Sequence, residues 1–180
     1  MAIFFKLRRF IYIAMMSVVN FMMTIVPISF GRILILKILG VKIGQGVTIG
    51  RGVRLDFPWR LSIGDNCYIG SFVYLDCRGG FITINKGSDI SEGALIYTLS
   101  HDIQSADLSE KCGDVVVGER VWICARAIVL PGTRVGMGSV LSANSVFSGA
   151  APEFTLLIGN PARNVKKLNV TRASRVRNWR

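Results

Sequence analysis

His101, in Leu99-Ser100-His101-Asp102, is the only histidine of this 180-residue chain and the side chain best suited to moving a proton. An imidazole titrates at about pH 6.5 when unperturbed. At neutral pH it can therefore act as general base, taking a proton from a hydroxyl or amine as that group attacks an activated acyl carbon. A surface histidine on a loop is the other reading, and position alone does not separate the two. Asp102 could orient the ring, but adjacent residues rarely turn toward one another, so a backbone carbonyl is an equal candidate. One histidine cannot build a multi-histidine metal centre. The cysteines Cys67, Cys77, Cys112 and Cys124, spaced 10, 35 and 12 residues apart, match no metal or redox motif. No metal is expected, and the thiols read as free, with Cys67 buried.

The elements that must hold His101 are set by a period. Ile43, Ile49, Leu55; Ile63, Ile69, Leu75; Ile84, Ile90, Ile96; Val117, Ile123, Val129; and Val135, Leu141, Phe147 are apolar without exception and recur mostly every six residues. Six matches neither a helix nor plain strand alternation, but it fits a short strand plus a corner. The residues two places earlier, from Val41 to Ser145, carry no charge, so each repeat points one smaller and one larger side chain inward. Gly, Asp, Asn or Ser follows twelve of the fifteen large residues, which reads as a cheap corner. The spacing lengthens after Leu55, Leu75 and Ile96, always the third repeat of a set, and after Phe147 the register is expected to resume at Ile158. If three repeats close a triangular coil, the insertions at 57–62, 77–82 and 97–116 leave from one edge. A solenoid places its site on such an edge. Asp56, Trp59 and Arg60, with Asp76 and Arg78, share that edge with His101 and offer the carboxylates and aromatic surface that sugars favour. Asp56 and Asp76 also suit corners for purely conformational reasons.

Charge divides the chain in three. Residues 1–54 hold eight Lys/Arg and no acid, residues 55–153 hold seven against eleven acids, and residues 154–180 hold seven and no acid. A solenoid that bound nucleic acid would need a basic surface over its repeats, and the middle segment is acidic. The run from Phe10 to Phe30 has twenty-one uncharged residues between Lys6, Arg8, Arg9 on one side and Arg32, Lys37, Lys42 on the other. Cations on both sides give no orientation for a crossing, so a segment bent near Pro27 and lying in one leaflet of an anionic membrane is expected. A helical cap on the first coil is the alternative, and no small-x-small site marks a cleaved leader. The expected organisation is a hydrophobic helical segment at 1–40, the repeat domain at 41–167 and a basic tail at 168–180, in which Arg172, Arg175, Arg177 and Arg180 are solvated.

The order Ile90-Ser91-Glu92-Gly93-Ala94-Leu95-Ile96-Tyr97-Thr98-Leu99-Ser100-His101-Asp102, Val121-Trp122-Ile123, Leu130-Pro131-Gly132 and Gly159-Asn160-Pro161-Ala162-Arg163 resembles the bacterial hexapeptide-repeat acetyltransferases. The branch is that of galactoside, maltose, nodulation-factor, colanic-acid and capsule O-acetyltransferases, and the match runs from about Val41 to Lys167. The resemblance implies an all-β fold, a left-handed parallel β-helix of about five triangular coils. It also implies a homotrimer with sites between neighbouring prisms, and acetyl-CoA as acyl donor. It makes His101 the catalytic base. Trp122 and Ala125 would line the pantetheine groove, Ala143 and Ser148 would meet the CoA arm, and Arg163 and Lys166 would face the nucleotide phosphates. Cys124 departs from the pattern's glycine and Ser148-Gly149 from its Thr-Lys. The activity implied is O-acetylation of a sugar hydroxyl on a surface polysaccharide or lipid-linked oligosaccharide precursor, at the cytoplasmic face of the inner membrane. N-acetylation of a nucleotide-linked amino sugar and a non-catalytic trimeric scaffold are the alternatives.

Overall fold

In a computed structural model that describes residues 2–169, the repeat winds into a parallel β-solenoid. The first face stacks Lys42–Ile43, Leu61–Ile63, Ile82–Ile84, Val115–Val117, Arg134–Val135 and Ala150–Ala151. The second stacks Thr48–Ile49, Tyr68–Ile69, Asp89–Ile90, Trp122–Ile123, Val140–Leu141 and Thr155–Gly159, and the third Arg54–Asp56, Tyr74–Asp76, Leu95–Tyr97, Ile128–Val129 and Val146–Phe147. Five coils close and a sixth supplies two faces, so the solenoid is longer than the expected five. The extra coil was hidden by a short corner: Ala151 takes the place of Val135 only four residues after Phe147, and Leu157, not Ile158, is the next inward residue. Ile158 lies outside, 44% exposed.

The period places the core side chains as the spacing requires. Every large inward residue is buried except Ile43, which packs against the core from the open end, and every smaller partner is buried as well. Each such Ile, Leu or Val contributes about 1.5–3 kcal/mol relative to an exposed one. The inward hydroxyls are satisfied between coils: Ser88 donates to the Gly118 carbonyl at 2.7 Å and Ser139 to that of Pro152 at 2.8 Å. Where a glycine follows the large residue, as at Gly44, Gly50, Gly64, Gly70, Gly118 and Gly136, it has a different purpose from a cheap corner. A Cβ on Gly50 would stand 2.4 Å from the Ser71 nitrogen, so the next coil's backbone excludes any side chain there. The left-handed corner residues come two positions later and include Asn66, Phe72, Arg120, Arg126 and Asn144.

Both open ends are covered. At the C-terminal end, Ala162–Lys167 folds back antiparallel on Thr155–Gly159. At the N-terminal end lie α1 (Ala2–Ile25) and α2 (Ser29–Ile38). Unpaired edge groups of the first coil would otherwise lack partners. The Asn20 amide donates to the Leu55 carbonyl at 3.2 Å and accepts from its N–H at 3.0 Å, Ser29 accepts from the Ile49 N–H at 2.8 Å, and Tyr12 accepts from the Phe57 N–H at 3.0 Å. Arg32, read from sequence as a flanking cation, is instead 6% exposed and donates to the carbonyls of Ile49 and Val26. Its burial, with Arg51 nearby, pulls its pKa below the ordinary arginine value. The cap reading therefore describes the inner side of the segment. Of the basic tail, only Leu168 and Asn169 fall within the described residues.

Burial also sorts the thiols. Cys67 and Cys77 are buried, and desolvation pushes the Cys77 thiol up to about 12, whereas Cys112 is exposed. Alkylation of the native protein at neutral pH is expected to modify Cys112 and to reach Cys67 and Cys77 only after unfolding, read by mass spectrometry of the digested chain.

Candidate active site

His101 ends a strand, Leu99–His101, that pairs antiparallel with Glu110–Cys112 to form a hairpin rising from the third corner of the third coil. The base of the hairpin is fixed where the Gly113 N–H donates to the Thr98 carbonyl at 3.0 Å, and Thr98 in turn donates its hydroxyl to the Asp76 carbonyl at 2.7 Å. The exposed His101 ring places Nδ1 2.7 Å from the Leu108 carbonyl. A carbonyl only accepts, so this contact requires Nδ1 to carry the hydrogen and leaves Nε2 with a free lone pair. Leu108 presents that oxygen from a left-handed conformation, φ 51°, which a sequence pattern does not reveal. Asp102 does not orient the ring. Its carboxylate accepts from the Gln104 N–H at 3.0 Å and so stiffens the hairpin tip.

The other residues of this corner form a connected layer beneath the hairpin. Asp56 and Asp76 are register neighbours, and Tyr97 follows Asp76 in the next coil. Asp56 accepts from the Tyr74 hydroxyl at 2.5 Å and from that of Tyr12 at 3.4 Å, while burial and this carboxylate push the Tyr74 pKa well above a free phenol. Asp76 is fully buried and held by Arg78 through two bonds of 2.9 and 2.8 Å, so its carboxylate is committed and the half-exposed guanidinium is the group turned outward. Arg60 donates to the Arg78 carbonyl at 2.8 Å, joining the first insertion to the second. Trp59, 45% exposed, meets Phe57 edge-on at 5.1 Å and Tyr12 at 6.1 Å, which ties the corner to α1.

The residues assigned to the acyl donor gather elsewhere. Ala125 and Ala143 line a groove of about 460 Å³ along the second corner, with Phe72, Glu92, Gly93, Arg126 and Asn144. Trp122 lies on the outward side of the second face and donates its indole N–H to Ser91 at 2.8 Å. Register partners run from Trp122 through Val140 and Leu156 to Lys166, and Arg163 pairs with Ile158. A bulge between Leu156 and Leu157 shifts the phase of the last strand, so Arg163 and Lys166, three residues apart, both sit opposite outward-facing residues. The structure thus brings Trp122, Ala125, Ala143, Arg163 and Lys166 to one side. Ser148 falls instead on the third corner, after Val146–Phe147. Phe72 and Arg126, which line the groove with Asn144, were missed because the left-handed corner conformation all three adopt is one their residue types do not announce, although asparagine takes it readily.

Comparison with known proteins bears on this arrangement. A family model described as the hexapeptide repeat of succinyl-transferase matches residues 60–96 and 114–147. The chain is 35% identical over 131 residues to the Escherichia coli (strain K12) protein named as a colanic acid biosynthesis acetyltransferase, WcaF, covering 73% of this chain and 71% of that one. It is 30% identical over 145 residues to an Escherichia coli protein named as a lipopolysaccharide biosynthesis O-acetyl transferase, WbbJ, with 72% of each covered. The hexapeptide-repeat-containing acetyltransferase of Vibrio cholerae, solved in complex with acetyl coenzyme A, matches with a TM-score of 0.78 at 26% identity over 87% of both chains. A maltose O-acetyltransferase from Clostridium difficile shares the fold, with a TM-score of 0.77 at 24% identity over 87% of this chain and 86% of that one. Repeat, coil geometry and sequence identity converge, and the chain belongs to the hexapeptide-repeat acetyltransferase family.

Proposed function

We propose that this protein transfers an acetyl group from acetyl-CoA to a hydroxyl of a sugar in a surface polysaccharide or lipid-linked oligosaccharide precursor, at the cytoplasmic face of the inner membrane. The observation that carries the reading is His101, with Nδ1 anchored on the Leu108 carbonyl and Nε2 left as the base. Nε2 takes the proton of the acceptor hydroxyl while its oxygen attacks the thioester carbonyl. Backbone N–H groups stabilise the oxyanion. Collapse breaks the carbon–sulfur bond, and the CoA thiolate recovers the proton from the imidazolium. Nothing in this sequence needs a covalent acyl-enzyme.

The site takes two copies of the chain on this reading. His101 stands at the third corner and the groove lies at the second, separated by a face of about five residues, or about 16 Å. A homotrimer in which one prism's third corner meets its neighbour's second corner brings base and acyl donor together. The outward column Leu95, Ile128 and Val146 on the intervening face, apolar and only half-buried within one chain, supports such packing. Within the groove, Trp122, Ala125 and Ala143 would hold the pantetheine arm, and Arg163 with Lys166 the phosphates. Ser148, on the third corner, would meet the thioester end from the copy that supplies His101. Arg78, Trp59 and the Asp56–Tyr74 pair would receive the acceptor, Asp76 acting through Arg78.

The experiment is a transfer assay with purified protein, acetyl-CoA and free sugars, reading CoA thiol release and acetylated product. Arg163→Ala with Lys166→Ala is expected to raise the KM for acetyl-CoA about tenfold or more, since two charge-assisted contacts to phosphate are lost, with the sugar KM little changed. An unchanged cofactor KM would remove these two residues from the donor site.

A further inference from the structure

The outer side of the cap is unlike the rest of the surface. Phe10, Phe21, Phe30, Leu34 and Ile38 on α1 and α2 are 50–77% exposed, forming one apolar layer with no acidic residue anywhere in residues 1–54. Lys6, Arg8, Arg9, Lys37 and Lys42 flank these residues along the chain and are all exposed. Residues 6–25 are long and apolar enough to cross a membrane, and only 17% of that window is buried. A crossing, however, would break the contacts of α1 with the first coil. Tyr12, Asn20 and the Met23 carbonyl, which accepts from the Gly52 N–H at 3.0 Å, tie the helix to that coil over about 16 Å of its length. A helix held so lies across the end of the prism, with its axis roughly perpendicular to the stack.

We infer that α1 and α2 serve at once as the solenoid's end cap and as a plate that rests in the interface of an anionic bilayer, with the stack of coils standing up from the membrane. Apolar side chains enter the headgroup and acyl boundary and the flanking cations meet lipid phosphates, the arrangement of an in-plane amphipathic segment. The inference rests on the trimeric reading above for one further step. Three-fold symmetry puts equivalent elements at the same height along the axis, so all three caps share one plane and the weak anchoring of each is multiplied. Two coil rises of about 4.8 Å and a helix diameter of about 10 Å then hold the base of the His101 hairpin about 20 Å from the helix axes. An acceptor reaching the site from the same membrane presents a sugar some way out along its chain, and the lipid end stays in the bilayer. The third corner, tied to α1 through Trp59 and Tyr12, is the path between them.

The test is flotation of the full-length protein with vesicles of equal parts phosphatidylglycerol and phosphatidylcholine, with an oligosaccharide coupled to a phospholipid headgroup as acceptor. Wild type is expected to float, and less so in high salt. Phe10→Ser with Phe21→Ser and Phe30→Ser, which touches only outward side chains, is expected to lower the bound fraction about tenfold or more. That variant should keep its melting temperature and its rate on a free sugar while losing rate on the lipid-coupled acceptor. The inference is overturned if wild type stays in solution with these vesicles, if the triple variant floats equally well, or if wild type instead joins cap to cap into back-to-back assemblies that ignore lipid. Cleavage of the N-terminus by protease trapped inside the vesicles would show a crossing and overturn it too. Flotation without acetylation of a free sugar supports the plate and removes the proposed activity; acetylation without flotation does the reverse.

Discussion

His101→Ala is expected to lower kcat by about 10²- to 10⁴-fold, the usual loss when a general base is removed. Acetyl-CoA affinity should stay within about twofold of wild type, because on the proposed reading the donor contacts fall to the second-corner groove and to Arg163 and Lys166 on the last strand, and none to the imidazole. The hairpin that carries the ring keeps its strand pairing and the Asp102 bond to Gln104 without the imidazole, so the loss reports chemistry and not folding. Rapid-quench turnover together with calorimetric titration of acetyl-CoA separates the two quantities. Near-normal turnover in the variant would remove His101 from the mechanism.

The largest expected loss of stability away from the core is at Arg32→Met. The side chain donates to the Ile49 carbonyl through Nε and Nη2, at 2.9 and 2.7 Å, and to the Val26 carbonyl through Nη1. Methionine matches the stem but leaves both carbonyls without partners, at about 1–3 kcal/mol each. A total of about 3 kcal/mol corresponds to a fall in Tm of roughly 6–12 °C for a chain of this size. Arg51→Met is the control, since Arg51 is exposed and should shift stability by no more than about 0.5 kcal/mol. Equal melting of both variants would mean that the helices rest on the first coil without holding it.

The inward residues could be read from the sequence because a solenoid repeats its packing problem: a side chain in the position of Ile49, Ile69, Ile90 or Ile123 meets the same neighbours one coil above and below. Where the corner geometry changed, the period misled. The corner between Phe147 and Ala151 is two residues shorter than the repeat, which moved the inward position from Ile158 to Leu157 and concealed the sixth coil. Arg32 was misread for a different reason. Its partners are backbone carbonyls, which leave no trace in residue types, whereas a carboxylate partner would have been visible. The same holds for His101, whose orienting group is the carbonyl of Leu108 and not the carboxylate next door. Asp76 does lie at the corner that carries the His101 hairpin, but Arg78, two residues on, takes up its charge, so the group offered outward is cationic.

Acetyl transfer to a sugar oxygen with His101 as base is the central proposal. Purified protein, acetyl-CoA labelled with deuterium in the acetyl group, and extracted surface glycan precursors allow it to be measured by mass spectrometry before and after mild alkali, which cleaves esters and spares amides. The expected result is a gain of one labelled acetyl group that alkali removes and that the His101→Ala variant fails to produce. No gain in mass, a label that survives alkali, or an equal gain with the variant would contradict it.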